Sequence, residues 1–251
     1  MTDNQNGPRL RIAWVEEWMS SMATALLPEL ARKHDITYVT AGDAIPKADF
    51  HRVVRARRWK WMNVAGFELS RRVNRLYRDG LIDMAVVWAS IGFGLRGVPF
   101  INLEGGSVYA EILMFRAGKP LHKRLRSLAG IVHYAVPEML CNRRARKVVV
   151  PSAALQQDLM RLHDLADDDV RVVPHGVEQR HLALYGRKAP GRSPRILFVG
   201  RLHFRKGLTP VLREFVRRRD IQAEFEIVGE GPDRLLLEQI AAGCVLGGKG
   251  G

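Results

Sequence analysis

From Arg9 onward, apolar runs of strand length alternate with helical stretches, and this alternation confines the chain to an α/β architecture. Arg9 to Val15 and Ile36 to Thr40 read as the first two strands, and Ile82 to Trp88 and Val98 to Leu103 as later ones. Runs this apolar are buried on both faces, as parallel strands joined by crossover helices are. Between the first two, Met22, Leu26, Leu27 and Leu30 mark a helix in which Pro28 is tolerable only near the start or at a kink. The pattern is a doubly wound parallel sheet, whose ligand lies beyond the carboxyl ends of the strands.

The second half of the chain carries more specific signals. Val148-Val149-Val150-Pro151-Ser152 is a strand running into a helix with Ser152 as N-cap and Leu155, Leu159 and Leu162 on one face. Val170 to Val177 is a short β run closed by Pro174-His175-Gly176. In Phe198-Val199-Gly200-Arg201-Leu202, a buried strand stops at Gly200, and Arg201 and Lys206 bring fixed positive charge ahead of a helix starting near Gly207. Free N–H groups at that helix start and two cations suit a diphosphate, since an arginine grips a phosphate with two donors and a lysine acts as a point charge. The plainer alternative is a surface loop with two solvated cations. Phe225 to Pro232 is a further strand ending in a turn that contains Gly229 and Gly231.

In this order the four segments resemble the nucleotide-sugar glycosyltransferases of the GT-B fold, and within them the retaining family 4, glycosyl transferases group 1; the match spans roughly Ala145 to Gly243. The resemblance implies an N-terminal, acceptor-side Rossmann-like domain over 1–192, with the Gly- and Pro-containing stretch at about 186–194 as hinge. Residues 193–251 would then be a partial nucleotide-sugar-binding domain. Only 59 residues (251 minus 192) remain for it, where a complete half needs on the order of 100 to 150. The expectation is therefore a truncated or fragmentary transferase whose activity requires the absent portion, a separate C-terminal half being one source of it.

The resemblance further implies a UDP- or GDP-sugar donor, a glycan or lipid-linked acceptor, no cofactor and no metal. Arg201 and Lys206 would neutralise the leaving diphosphate, and Gly200, Gly207, Gly229 and Gly231 would line the donor site. After the strand ending at Leu103, relatives place a His-Gly pair, whereas this chain has Glu104-Gly105-Gly106-Ser107. Glu104 could orient an acceptor hydroxyl or act as a base, the alternative being an exposed loop carboxylate. Gly105 and Gly106 would let backbone approach a ligand. The turn after the first strand, glycine-rich in many relatives, reads Glu16-Glu17-Trp18-Met19-Ser20-Ser21. His175 stands where an asparagine is usual, and the expectation is a role in turn geometry or domain packing rather than in catalysis. Glu230 and Glu238 match the spacing of the family's two-glutamate motif but lie upstream of its place, so the match is coincidental.

Lys and Arg exceed Asp and Glu by 14, giving a pI near 10.4. Nine basic residues fall between His51 and Arg78 against Glu68 alone, with Trp59, Trp61, Met62 and Phe67 among them. Leu69, Val73, Leu76 and Tyr77 share one helical face and Arg71, Arg72, Arg75 and Arg78 lie off it, a pattern that suits an anionic membrane surface or a helix packed on its own core. Arg116 to Arg126 could extend the patch. Nucleic acid is the weaker reading, since no zinc-ligand spacing, aromatic RNA-binding strand motif or helix-turn-helix accompanies the charge. Two cysteines, Cys141 and Cys244, are too few for a disulfide framework. With no signal-like apolar segment either, the expectation is a cytoplasmic protein, peripheral on the inner face of a membrane. A noncatalytic remnant binding a partner or membrane, and a basic nucleic-acid-binding protein, are the alternatives to the transferase.

Overall fold

The computed structural model describes residues 7–17, 19–57, 62–116, 131–176, 182–183, 194–218 and 220–246. The chain divides into two compact units, 1–182 and 183–251. Trp59, Trp61, all but Arg116 of the second basic segment, most of the expected hinge and the last five residues lie outside the described residues.

Unit one is built on seven parallel strands: β1 (Arg11–Glu16), β2 (Asp35–Thr40), β3 (Arg52–Arg55), β4 (Met84–Trp88), β5 (Phe100–Leu103), β6 (Lys147–Val150) and β7 (Val170–Val172). Their spatial order is β3-β2-β1-β4-β5-β6-β7. From β1 the chain therefore winds outward one way through β2 and β3, then crosses back to β4 and winds the other way. Ala13 faces Thr37 on one side and Ala85 on the other, so β1 and β4 are the pair at which the winding reverses.

Side chains alternate across β1, and each face has its own cover. Ile12 and Trp14 pack with Ala23, Leu27 and Ala31 of α1 (Ser21–Lys33), while Ala13 and Val15 pack with Leu69, Val73 and Leu76 of α2 (Met62–Arg78). Ser20 caps α1 by accepting the Ala23 N–H at 3.0 Å. Two details differ from the sequence reading. Leu26 is 44% exposed, the inner stripe being Ala23, Leu27 and Ala31. Pro28 lies eight residues into α1 and the helix continues through it. One lost backbone bond is outweighed there by the apolar face that Leu27 and Ala31 bury on the sheet.

For the stripe of α2 the structure takes the second of the two readings, a helix packed on its own core. Leu69 and Val73 are fully buried and Leu76 nearly so. They complete the core beneath β1 and β4, so these three apolar residues face inward while Arg71, Arg75 and Arg78 meet solvent. No helix among the described residues is long and apolar enough to cross a membrane.

Among the described residues the remaining helices of unit one are α3 (Val108–Arg116), α4 (Val136–Arg144), which follows a π-helical turn over Ile131–Ala135, and α5 (Ala153–His163). Ser152 caps α5 as its sequence suggests, accepting the Leu155 N–H at 3.3 Å, and Leu159 is fully buried against Val148, Val150 and Val170. A 3-10 turn, Ala89–Gly94, leads out of β4 and packs on α2 and α4.

Unit two pairs β8 (Arg195–Val199) with β9 (Glu224–Val228) in parallel and covers them with α6 (Leu208–Arg217) and α7 (Arg234–Leu246). Leu202, Leu208, Leu212 and Leu237 form its core with Phe198, Phe225 and Ile227 around them. β8 was expected to be a buried strand, yet Leu197 and Val199 are 58% and 67% exposed. A two-stranded sheet covered on one face leaves its alternate side chains outside.

Candidate functional site

A crevice of about 180 Å³ opens where β1 and β4 end, lined among others by Glu16, Ser20, Trp88, Ser90, Tyr134 and Glu138. This is the place a doubly wound sheet reserves for a ligand, because the loops leaving β1 and β4 diverge to opposite faces there. Ala89, in its wall, is held at φ 52°, a left-handed conformation that a residue with a Cβ rarely adopts. Cys141 of α4 donates its thiol to the Ala89 carbonyl at 3.2 Å and helps hold this bend.

Glu16 is the last residue of β1 and only 2% exposed. Its carboxylate accepts the Tyr38 hydroxyl at 2.6 Å and the Ser20 hydroxyl at 2.8 Å. Burial pushes its pKa up, and the hydrogen bonds from Tyr38 and Ser20 oppose that shift. The Tyr38 phenol is raised in turn by its own burial and by the carboxylate it faces. The Glu16 carboxyl is thus fixed in direction at the crevice wall.

Glu138 enters the same wall from α4 and accepts the first N–H groups of α3, from Val108 at 3.2 Å and Tyr109 at 3.1 Å. Behind it lies a buried polar chain. Asn102 Nδ2 donates to Glu104 Oε1 at 3.0 Å and to Asn142 Oδ1 at 2.6 Å, and the Asn142 amide meets His163 Nδ1 at 3.0 Å. Burial raises Glu104 and Glu138 well above the usual carboxylate range, and Glu138 raises Glu104 further by its proximity. His163 is pushed down to about 4, by burial first and then by the Arg143 charge.

Glu104 is therefore no exposed loop carboxylate. It is 2% exposed and held by Asn102, and the crevice is lined by Glu16 and Glu138 instead. Gly105 and Gly106 follow it at the surface: a Cβ on Gly105 would rest 3.4 Å from the Trp88 ring, and one on Gly106 would meet open space. His175 is exposed. Sequence reasoning missed Glu16, Tyr38 and Glu138. The available signal was an acid directly after the apolar run Ile12 to Val15, and another inside Val136-Pro137-Glu138-Met139-Leu140, where solvated acids are out of place.

In unit two, β8 ends at Val199, and Gly200 and Arg201 follow it. A 3-10 turn then carries Phe204–Lys206, and Gly207, at φ 68°, opens α6. Arg201 and Lys206 are exposed, and neither side chain has a polar partner among the described residues. Gly229 and Gly231 are packed against the turn that follows β8, while a Cβ on Gly200 would meet only the Phe198 ring, at 3.5 Å. A Cβ on Gly229 would fall 1.9 Å from the Gly200 carbonyl oxygen, and one on Gly231 would fall 2.1 Å from that of Leu202. The Gly200 N–H donates to Val228 O at 3.0 Å and the Leu202 N–H to Glu230 O at 2.8 Å, so the two strand-ending turns are laid backbone on backbone. Glu230 and Glu238 both bind Arg234, at 2.6 and 2.9 Å, as an exposed ladder along α7. Among the described residues no group of three potential ligands could hold a metal ion.

With this geometry in view, the chain's relatives are clear. The family model Glycosyltransferase Family 4 matches residues 19–181, and the chain belongs to that family. Among solved structures the chain is similar to WaaG, a glycosyltransferase involved in lipopolysaccharide biosynthesis, at 16% identity and a TM-score of 0.64, covering 94% of this chain and 68% of that one. It is also similar to the lipopolysaccharide outer core galactosyltransferase WaaB in its apo form, at 13% identity and 0.61, covering 94% and 66%. A glycosyltransferase from Rickettsia africae matches at 12% identity and 0.58, covering 96% and 67%. At these identities the likeness is one of fold: a Rossmann-like parallel sheet with a smaller second sheet, in the α/β class of GT-B proteins. The chain spans about two thirds of the length of these structures. No curated protein matches.

Proposed function

We propose that the chain is a retaining glycosyltransferase that moves a sugar from a UDP- or GDP-sugar to a hydroxyl of a glycan or lipid-linked acceptor. The observation that carries this reading is the crevice at the ends of β1 and β4, with the fixed carboxylate of Glu16 and the hydroxyl of Ser20 in its wall. Carboxylates and hydroxyls of fixed direction, with the Trp88 ring beside them, suit a sugar bearing several hydroxyls. Family membership supplies the reaction class.

In this reading unit one holds the acceptor, and the segment from Gly200 to Gly207 holds the donor. Arg201 and Lys206, free of partners among the described residues, face the diphosphate with the first N–H groups of α6. The acceptor oxygen bonds to the anomeric carbon as the bond from that carbon to the diphosphate oxygen breaks, and the electron pair goes to the diphosphate. The hydroxyl proton passes to a diphosphate oxygen on the same face, so configuration is retained without a protein nucleophile. Charge grows on the leaving group in this step, and fixed cations there lower the barrier most. Glu16 orients the acceptor hydroxyl by accepting from it. Glu104, further in, supports Asn102 and hence the packing of α4 behind the crevice.

Transfer of labelled sugar from UDP- and GDP-sugars to envelope glycolipids tests the reading. Glu16→Gln should raise the acceptor KM with the donor KM unchanged. Equal effects on both, or none, would remove the crevice from acceptor binding.

A further inference from the structure

The chain carries a net charge of +14, yet acids line the crevice at the ends of β1 and β4. Glu16, Glu17 and Glu138 are in its wall, and among the described residues no lysine, arginine or histidine is. Glu16 and Glu138 are 2% and 1% exposed, and among the described residues neither has an ion-pair partner. A carboxylate taken out of water without a cation beside it is costly, which is why burial raises the pKa of both groups.

Neither carboxyl is used up by its own hydrogen bonds, since a carboxylate offers about four acceptor positions. Glu138 gives one oxygen to the Val108 N–H and the other to the Tyr109 N–H, and Glu16 gives one to Tyr38 and the other to Ser20. These bonds fix both groups in direction. The Trp88 ring lines the same space, and an indole attracts an ammonium more strongly than any other side-chain ring. At about 180 Å³ the crevice is smaller than the ~300–1,000 Å³ of a pocket for a drug-sized ligand, so it admits one sugar residue and not a chain of them. An anionic group would be repelled there, and a neutral hydroxyl would replace only a hydrogen bond to water. An ammonium replaces the hydrogen bond and also supplies the missing positive charge.

We propose that the sugar received by the crevice carries a free, protonated amine, with Glu138 taking the ammonium beside Trp88 and Glu16 taking a hydroxyl. The acceptor is then an amino sugar, or a glycan or glycolipid ending in one, rather than a neutral or N-acetylated sugar. The proposal rests on the reading of the crevice as the acceptor site, and its test needs no transfer reaction. Attraction of amines to the protein at large would not produce such a preference, because a chain of this net charge repels them.

The test is methyl NMR titration of the full chain, at neutral pH and about 0.15 M salt so that exposed charges are screened. The ligands are the methyl glycosides of glucosamine, N-acetylglucosamine and glucose, read at Ile91 and Val108 in the crevice wall. The glucosamine glycoside should shift both residues and bind about tenfold tighter than the other two, the factor that separates a charge-assisted hydrogen bond from a neutral one. Glu138→Gln should remove that preference and leave the glucose glycoside within about threefold of wild type. Glu16→Gln should weaken all three glycosides. The comparison of ligands on wild type needs no variant, so it decides the question even if Glu138→Gln fails to fold. Equal or tighter binding of the neutral glycosides at Ile91 and Val108 would overturn the amine and keep the crevice as acceptor site. Absence of shifts there with all three would overturn both readings. An undiminished amine preference in a folded Glu138→Gln protein would overturn the assignment of the ammonium to Glu138, and the proposal with it.

Discussion

The phenolic hydroxyl of Tyr38 donates to Oε1 of Glu16 over 2.6 Å, tying the carboxyl end of β1 to the adjacent strand β2. Both side chains are buried, so the bond fixes the direction of the carboxylate that lines the crevice. Tyr38→Phe leaves Glu16 with one donor fewer, and the Ser20 hydroxyl remains. The expected cost is ~1–3 kcal/mol in urea unfolding, because a buried acceptor then lacks its partner. Glu16→Gln together with Tyr38→Phe should cost less than the two single changes added. Strict additivity would show that the two groups do not act as a pair.

The Glu104 and Glu138 carboxyls hold protons more tightly in the folded chain than in the unfolded one. Their stabilisation is fully present below the ordinary carboxylate range and is lost as pH rises through their raised values. Unfolding midpoints in urea should therefore fall as pH rises from about 4.5 toward 7, and Glu138→Gln should flatten that fall. An unchanged slope in the variant would show that Glu138 is already ionised without cost.

His163 acts in the opposite direction. Its folded pKa of about 4 lies below the free value of 6.5, so its contribution is present above 6.5 and is lost as pH falls toward 4. His163→Gln should remove up to ~3 kcal/mol of acid-side pH dependence, read from urea midpoints over the same span. Retention of the full acid-side slope would place that dependence on other groups.

Glycine substitutions separate packing from backbone freedom in unit two. Gly229→Ala and Gly231→Ala put a methyl group into the carbonyls of Gly200 and Leu202, and unit two should lose its cooperative structure, seen as collapsed dispersion of its methyl resonances. Gly207 has open space around its Cβ and only its left-handed φ to defend, so Gly207→Ala should cost ~1–2 kcal/mol. Equal effects at the three positions would contradict the close backbone approach.

Much of the fold was legible because apolar strands such as Ile36 to Thr40 and capped helices such as that after Ser152 are set by local pattern. The short edge strand β3, Arg52–Arg55, was not, since its pairing with β2 comes from tertiary position while its sequence reads as part of a basic run. The stripe of α2 was visible, but which partner it faced was not, because a sheet and a membrane select the same periodicity. Glu16 and Tyr38 are 22 residues apart, and only the parallel register of β1 and β2 brings them together. The Gly-Arg and Lys-Gly segment was plain in sequence, whereas the contact of Gly229 and Gly231 with the β8 turn needed the two strands side by side.

The central claim is that the segment from Gly200 to Gly207 receives a nucleotide-sugar diphosphate, and methyl NMR titration with UDP and with GDP tests it most directly, since weak binding still shifts resonances. The account predicts shifts at Leu202 and Leu208 for at least one nucleotide. It also predicts roughly tenfold to hundredfold weaker binding in Arg201→Ala combined with Lys206→Ala, as the loss of charge-assisted hydrogen bonds implies. Shifts confined to other residues, or binding unchanged in the double variant, would contradict it.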